Sequence, residues 1–227
     1  MKATRPIPRF LALLLCILLA VGSPAQEAEE AAPAPTAPDF ASLQKNWWAY
    51  FEGSRAEVEP RIREFIATAE MQIADLGPQN QEIAQAILDA VRDNLNVYLQ
   101  LLETQELELL EFVEPAASYT IEELFSLAAN AREAEAIAAA EQLEVEREQR
   151  ILNGAGQRRD ALFKDYIDSA EGDEQWLTAL RLVRARAAQK ISERRLEILE
   201  RSYEYALQNA DNARERVDLA VGRLASD

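Results

Sequence analysis

The chain has 227 residues, with 40 acidic and 24 basic side chains, no histidine and a single cysteine, for a net charge of −16. Without histidine, and with only one thiol, it has no material for an internal disulfide or the usual zinc sites. So acidic a chain is also a poor general binder of nucleic acid, whose phosphates must be neutralised by Lys and Arg.

Lys2, Arg5 and Arg9 precede a run of twelve apolar residues, Phe10 to Val21, and Ser23-Pro24-Ala25 places small residues at the −3 and −1 positions of a cleavage site. Residues 1–25 therefore read as a secretory signal peptide. An uncleaved anchor fits less well, because the run falls short of the roughly 20 residues needed to cross a bilayer. Cys16 lies inside the run behind Leu13-Leu14-Leu15, without the small residue expected before a lipidated cysteine. Removal of this leader leaves neither Cys nor His and a net charge of −19. Residues 26–39, acidic and rich in Pro and Ala, read as a disordered linker.

From Phe40 the spacing becomes helical, in two pieces of about 40–52 and 58–76 separated near Gly53-Ser54, with Pro60 in the first turn of the second. Gly77-Pro78 stops that piece. A heptad seam then runs through Ala84, Leu88, Val91, Leu95, Tyr98, Leu102, Gln105, Leu109 and Phe112 until Pro115. Thr120-Ile121-Glu122-Glu123 is a capping box, a hydroxyl for the Glu123 amide and a carboxylate reaching back, and opens a third helix. That helix is alanine-rich in its first half and meets glycines at Asn153-Gly154-Ala155-Gly156, a candidate kink, before a turn at 169–172. The longest helix follows, from Asp173 to about Leu224. Leu196, Leu199, Tyr203, Ala206, Ala210, Ala213, Val217, Ala220 and Leu224 form one stripe in three- and four-residue steps. Trp176, Leu180, Val183, Ala187, Ile191 and Ile198 form a second, offset stripe; both stripes are present around 196–205, so that segment is expected to touch two neighbours.

The expected fold class is all-α: an antiparallel helical bundle spanning residues 40–227, from which a long coiled-coil hairpin projects at about 154–190. Short connections favour antiparallel neighbours, and the second helix laid on the third would run out near residue 150, where the glycines sit. Charge follows the same division, since residues 147–195 carry 11 basic and 8 acidic side chains.

No Gly-rich phosphate loop, nucleophile elbow or metal motif is present, so no catalytic, cofactor-binding or metal residue is assigned and no cofactor or small-molecule substrate is expected. Glu103, Glu106, Glu108 and Glu111 alternate with leucines as a solvated helix face does. Arg181, Arg184, Arg186, Lys190, Arg194 and Arg195 either meet phospholipid headgroups or an acidic partner, or pair with carboxylates on neighbouring helices; the pairing is favoured, because they lie on a helix already rich in core residues. Trp47, Trp48, Tyr50 and Phe51 suit a membrane interface or a bundle plug, and their helical spacing with Phe40 and Leu43 favours the plug.

Several stretches together resemble the N-terminal extracytoplasmic helical region of large channels of the MscS mechanosensitive family. They are Asn46-Trp47-Trp48-Ala49-Tyr50-Phe51, Ser118-Tyr119-Thr120, Arg147-Glu148-Gln149-Arg150, Leu162-Phe163-Lys164-Asp165-Tyr166 and Leu180-Arg181-Leu182-Val183-Arg184-Ala185-Arg186. The resemblance covers most of residues 40–205. In that family such a region precedes transmembrane helices and a tension-gated pore. Here no apolar run within 26–227 approaches bilayer length, so no pore residue is carried over. The resemblance implies a portion of a longer channel or a free-standing relative of its sensor part. The expected role is a non-catalytic periplasmic coiled-coil domain acting as spacer, assembly element or gating modulator. It meets protein partners, including a second copy of itself or an inner-membrane channel portion, through helical surfaces. A free-standing periplasmic chaperone or adaptor is the alternative.

Overall fold

The computed structural model describes residues 37–43, 46–103 and 116–224. The stretches expected as leader and, up to residue 36, as linker, and the stretch from Gln105 through Phe112 to Pro115, lie outside the described residues. The described chain is all-helical: a 3-10 turn (Trp47–Phe51), then α1 (Arg55–Ile73), α2 (Pro78–Leu101), α3 (Ile121–Asp168) and α4 (Asp173–Gly222). No helix among the described residues is long and apolar enough to cross a membrane.

Local chemistry explains the element boundaries. The piece expected as a helix over 40–52 is instead a turn followed by the 3-10 segment, closed by i to i+3 bonds from Ala49 N to Asn46 O (3.0 Å) and Glu52 N to Ala49 O (3.2 Å). Gly53 ends it at φ +136°, where a Cβ would meet Glu57 Oε2 at 2.8 Å. That same carboxylate oxygen accepts from the backbone amide and hydroxyl of Ser54, both at 2.8 Å. The cap starts α1 at Arg55, three residues earlier than expected, and leaves Pro60 inside the helix rather than in its first turn. Pro78 opens α2 at a position whose N–H has no intrahelical partner. At α3 the capping box forms as expected, with Thr120 N donating to Glu123 Oε2 (2.7 Å) and Glu123 N donating to Thr120 Oγ1 (3.2 Å). The α3 helix then passes Asn153 to Gly156 without a break, and a Cβ at Gly154 or Gly156 would touch nothing within 4 Å.

Consecutive helices α3 and α4 pack side by side and antiparallel. Tyr119 bridges Leu224, Arg214 pairs with Glu135 at 2.5 Å, and Ala138 packs against Ala206 and Ala210. On α3 the inward positions Leu124, Leu127, Ala131, Ala134, Ala138, Glu141, Val145, Glu148, Leu152, Ala155, Arg159, Leu162 and Tyr166 alternate in three- and four-residue steps, and each is buried or half-buried. On α4 the facing series runs from Thr178 through Leu182, Ala185, Gln189, Ser192, Leu196 and Leu199 to Ala220 with the same alternation.

The main core lies at the turn end of this pair, not at the alanine-rich end. Leu177, Leu180, Leu182, Val183, Ala187 and Ile191 of α4 and Tyr166 of α3 join Phe40, Trp48, Tyr50, Phe51, Phe65, Leu88 and Leu95 in one buried cluster. The expectation that residues 154–190 project from a bundle built at the other end is therefore corrected. It placed α2 on α3 by chain order, whereas α2 packs on α1 and α4. The physical reason is the aromatic set near residue 50, which needs a large apolar partner surface. The second stripe of α4 supplies it, and the alanines of α3 do not. Phe40 meets Trp176 at 4.9 Å and Phe65 at 5.5 Å between ring centroids, both tilted by 48°, and Phe51 meets Phe65 edge-on at 5.3 Å. The Tyr166 hydroxyl donates to Phe40 O (3.2 Å) and accepts from Leu43 N (3.0 Å), fastening the entering chain to α3.

Stability should be concentrated in this cluster. Leu180→Ala, at a fully buried position, is expected to cost about 2–5 kcal/mol. Ile137→Ala, on an exposed face of α3, should stay within about 0.5 kcal/mol, both read from urea unfolding followed by circular dichroism.

Candidate interaction surfaces

Titratable and polar groups at the turn end are occupied in holding helices together. Asp173, the first residue of α4, accepts from Gly77 N (3.0 Å) and Asn80 Nδ2 (2.8 Å), tying the α1–α2 turn to the start of α4. The Asn80 amide and then the Gly77 N–H hold its carboxyl below the ordinary aspartate range. A cleft of about 310 Å³ opens beside it, walled by Phe40 and Trp176 with Asp39, Gln72 and Asp75 at its edge. Two of its polar groups are already engaged. Asp39 accepts from Ala41 N and the Ser42 hydroxyl, and Trp176 Nε1 donates to Gln72 Oε1 at 3.1 Å. A second, shallower groove of about 220 Å³ runs along the alanine contacts, beside Ala138, Ala210 and the Glu135–Arg214 pair. Among the described residues no group of three or more His, Cys, Asp or Glu is placed to hold a metal ion.

Aromatic hydroxyls show the same structural use. Burial first, and then the hydrogen bond to Glu64 Oε2 (2.7 Å), push the Tyr50 hydroxyl above the ordinary tyrosine range. Burial also raises Tyr98, whose ring meets Trp48 edge-on at 5.6 Å. The aromatic set is thus buried packing material in this structure. Of the acidic ladder, Glu103 pairs with Arg55, while Glu106, Glu108 and Glu111 lie outside the described residues.

The basic set divides in two. Lys190 reaches Glu193 (2.8 Å) and Glu52 (3.7 Å), Arg194 reaches Glu197 (2.5 Å) and Leu101 O (3.3 Å), and Arg186 reaches Gln189 (2.8 Å) and Glu193 (3.9 Å). Burial, the largest cause, lowers the Arg186 pKa below its usual value. Arg181, Arg184 and Arg195 are exposed, and among the described residues none has a carboxylate within ion-pair distance. The pairing expected across helices is mostly pairing along α4, with Glu52 and Leu101 as the contributions from elsewhere.

Glu148 was legible only as part of a basic-acidic quartet, yet its side chain sits inside the α3–α4 seam with Oε1 unpaired. Its place in the three- and four-residue series of α3 was the available signal, masked by the polar residues that punctuate that series. The exposed apolar side chains of the pair lie mainly on α3, at Ile121, Phe125, Ile137, Leu143 and Ile151.

Two outcomes test these assignments. Because the Asp173 carboxyl is held below its unfolded value, its contribution is present above that value and lost as pH falls through the folded one. The stability gap between wild type and Asp173→Ala, from urea titrations, should be full at neutral pH and close below about pH 4. Glu148→Leu, which removes a buried carboxylate with an unpaired oxygen, should stabilise the fold by about 1 kcal/mol or more in the same assay.

No protein-family model, curated protein or solved structure matches the chain.

Proposed function

We propose that this protein is a non-catalytic helical spacer and assembly element of the cell envelope, in which α3 and α4 form a coiled-coil hairpin projecting from the bundle around α1, α2 and the 3-10 turn. The observation that carries the reading is the division of labour in α4. Leu177, Leu180, Leu182, Val183, Ala187 and Ile191 are buried in the main core with α2 and the aromatic set, while farther along Ala206 and Ala210 pack as small side chains against Ala138 of α3. A 48-residue helix rises about 72 Å, a length suited to setting distance and presenting surface. At the cleft, Asp173 and the Gln72–Trp176 pair fasten elements together, which supports a mechanical role.

The leader and the resemblance to the extracytoplasmic region of MscS-type channels supply the setting: outside the inner membrane, beside a tension-gated pore, as spacer, assembly element or gating modulator. A second reading, a free-standing chaperone or adaptor, is favoured by one feature. Phe125 is 72% exposed and Leu143 64% exposed on one stretch of α3, apolar surface of the kind that grips a partner.

An antibody raised against residues 116–224, used on fractionated source cells, separates the two. The channel reading expects a band much larger than 25.5 kDa in the inner membrane, and the free-standing reading expects a soluble band near that mass.

A further inference from the structure

Two helices that meet only each other bury one stripe apiece, and along the far half of the pair α3 does so. From Ala131 to Leu152 its buried and half-buried positions are those of the seam with α4, and the flanking Ile137, Glu144 and Ile151 are exposed. Along the same stretch α4 carries two stripes. One step before each seam residue stand Ser202, Tyr205, Asn209, Asn212, Arg216 and Leu219, all half-buried, while Glu204, Asp211, Glu215 and Asp218 on the remaining side are exposed. One step along a helix is a turn of about 100°, so the second stripe faces a neighbour other than α3. Within it, Arg216 Nε is buried and has no hydrogen-bond partner.

Besides α3, the described element packed along α4 is α2. The two run parallel, with Asn80 beside Asp173 and Leu101 O 3.3 Å from Arg194 Nε, and α2 ends there, short of Ser202. At the other end of α4, Ala116 O accepts from Arg223 Nη1 at 2.8 Å and Tyr119 N donates to Arg223 O at 3.2 Å. From Arg194 to Arg223 is about 43 Å of helix. A continuous helix from Leu101 to Ala116 would span about 22 Å, whereas the same residues at about 3.3 Å each span about 50 Å, with little left over. The length of chain between the two anchors therefore keeps it beside α4.

We propose that the second stripe of α4 is the seat of the chain's own residues 104–115, which lie along it between the end of α2 and the start of α3. Leu107 and Leu109 alternate with Glu106 and Glu108, so an extended run presents leucines on one side and carboxylates on the other. The stripe offers what such a run needs. Tyr205 and Leu219 meet apolar side chains, and Ser202, Asn209, Asn212 and Arg216 meet the backbone N–H and C=O groups that an extended chain leaves unpaired. Glu111 and Glu114 fall toward the Arg216 end. This goes beyond the spacer reading, since it leaves α3 rather than α4 as the helix of the far half open to a partner, and it holds whether the chain is free-standing or part of a channel.

Cysteine cross-linking of the purified chain tests it, on a Cys16→Ser background that carries no other thiol. The pairs Gln105→Cys with Ser202→Cys and Leu110→Cys with Asn212→Cys place one thiol on the segment and one on the stripe, at matching heights between the anchors. Treated with a short bismaleimide, each should give an internally linked product of monomer mass. It should form at least about tenfold faster than from Leu110→Cys with Ala136→Cys, which puts the second thiol on the exposed outer side of α3. Helical circular dichroism should match the wild type, and the first pair, which replaces two polar side chains, tests the seat even where loss of Leu110 disturbs the fold. Equal rates at α3 and α4, or no product at either stripe pair, would overturn the proposal. So would a product of dimer mass alone, which assigns the stripe to a second copy of the chain.

Discussion

Burial of the first half of α4 on two sides is the constraint on which the other elements depend. Leu180, Val183, Ala187 and Ile191 face the aromatic cluster and α2, while Leu182, Ala185, Gln189 and Ser192 continue the series that faces α3. A helix held on two sides cannot rotate to exchange faces without exposing several large side chains, each worth about 1.5–3 kcal/mol when buried. Its orientation therefore sets which residues of α3 point inward, and that register propagates along the remaining seam to Ala220. The polar fasteners act at the same place. Asp173 ties the head of α4 to the α1–α2 turn, Tyr166 ties α3 to the chain entering at Phe40, and Arg194 Nε reaches Leu101 O at the end of α2.

Packing material changes along the pair. At the turn end the contacts are made by leucine, valine and aromatic rings; farther out, Ala134 and Ala138 pack with Ala206 and Ala210. Small side chains let two helices approach closely but bury little apolar area for each residue ordered, so the far half depends on regular close contact over a long length. Glu148 belongs to the transition between the two regimes. A buried carboxylate with an unpaired oxygen lowers stability there.

The charge distribution follows the same geometry. Arg186, Lys190 and Arg194 lie where α4 is most enclosed and are answered by Glu193, Glu197, Glu52 and a backbone carbonyl. Arg181, Arg184 and Arg195 have exposed side chains with no ion-pair partner among the described residues. Nearby positions on one helix thus divide into internal fasteners and outward-facing cations, and only the second group is available to another molecule.

Periodicity and end signals in the sequence were enough for the four α-helices, though not for the 40–52 piece, which is a turn and a 3-10 segment. The Thr120–Glu123 box, Gly77-Pro78, the seam through Ala84 and Leu95, and the two stripes of the last helix each report a local relation between neighbouring residues, and each is present in the fold. Even the two-neighbour character of the last helix was legible, although the main core takes its stretch 177–191 rather than 196–205. The identity of the neighbours was not. A stripe encodes which face of a helix is apolar, not which distant surface covers it, and connection length alone favoured α3 as the partner of α2. Only tertiary packing decided that the aromatic set near residue 50, short of apolar surface on its own element, takes the turn end of α3–α4 as its partner. The alanine-rich half is left to pair through small side chains, because volume matching across elements is a non-local quantity that no window of sequence contains.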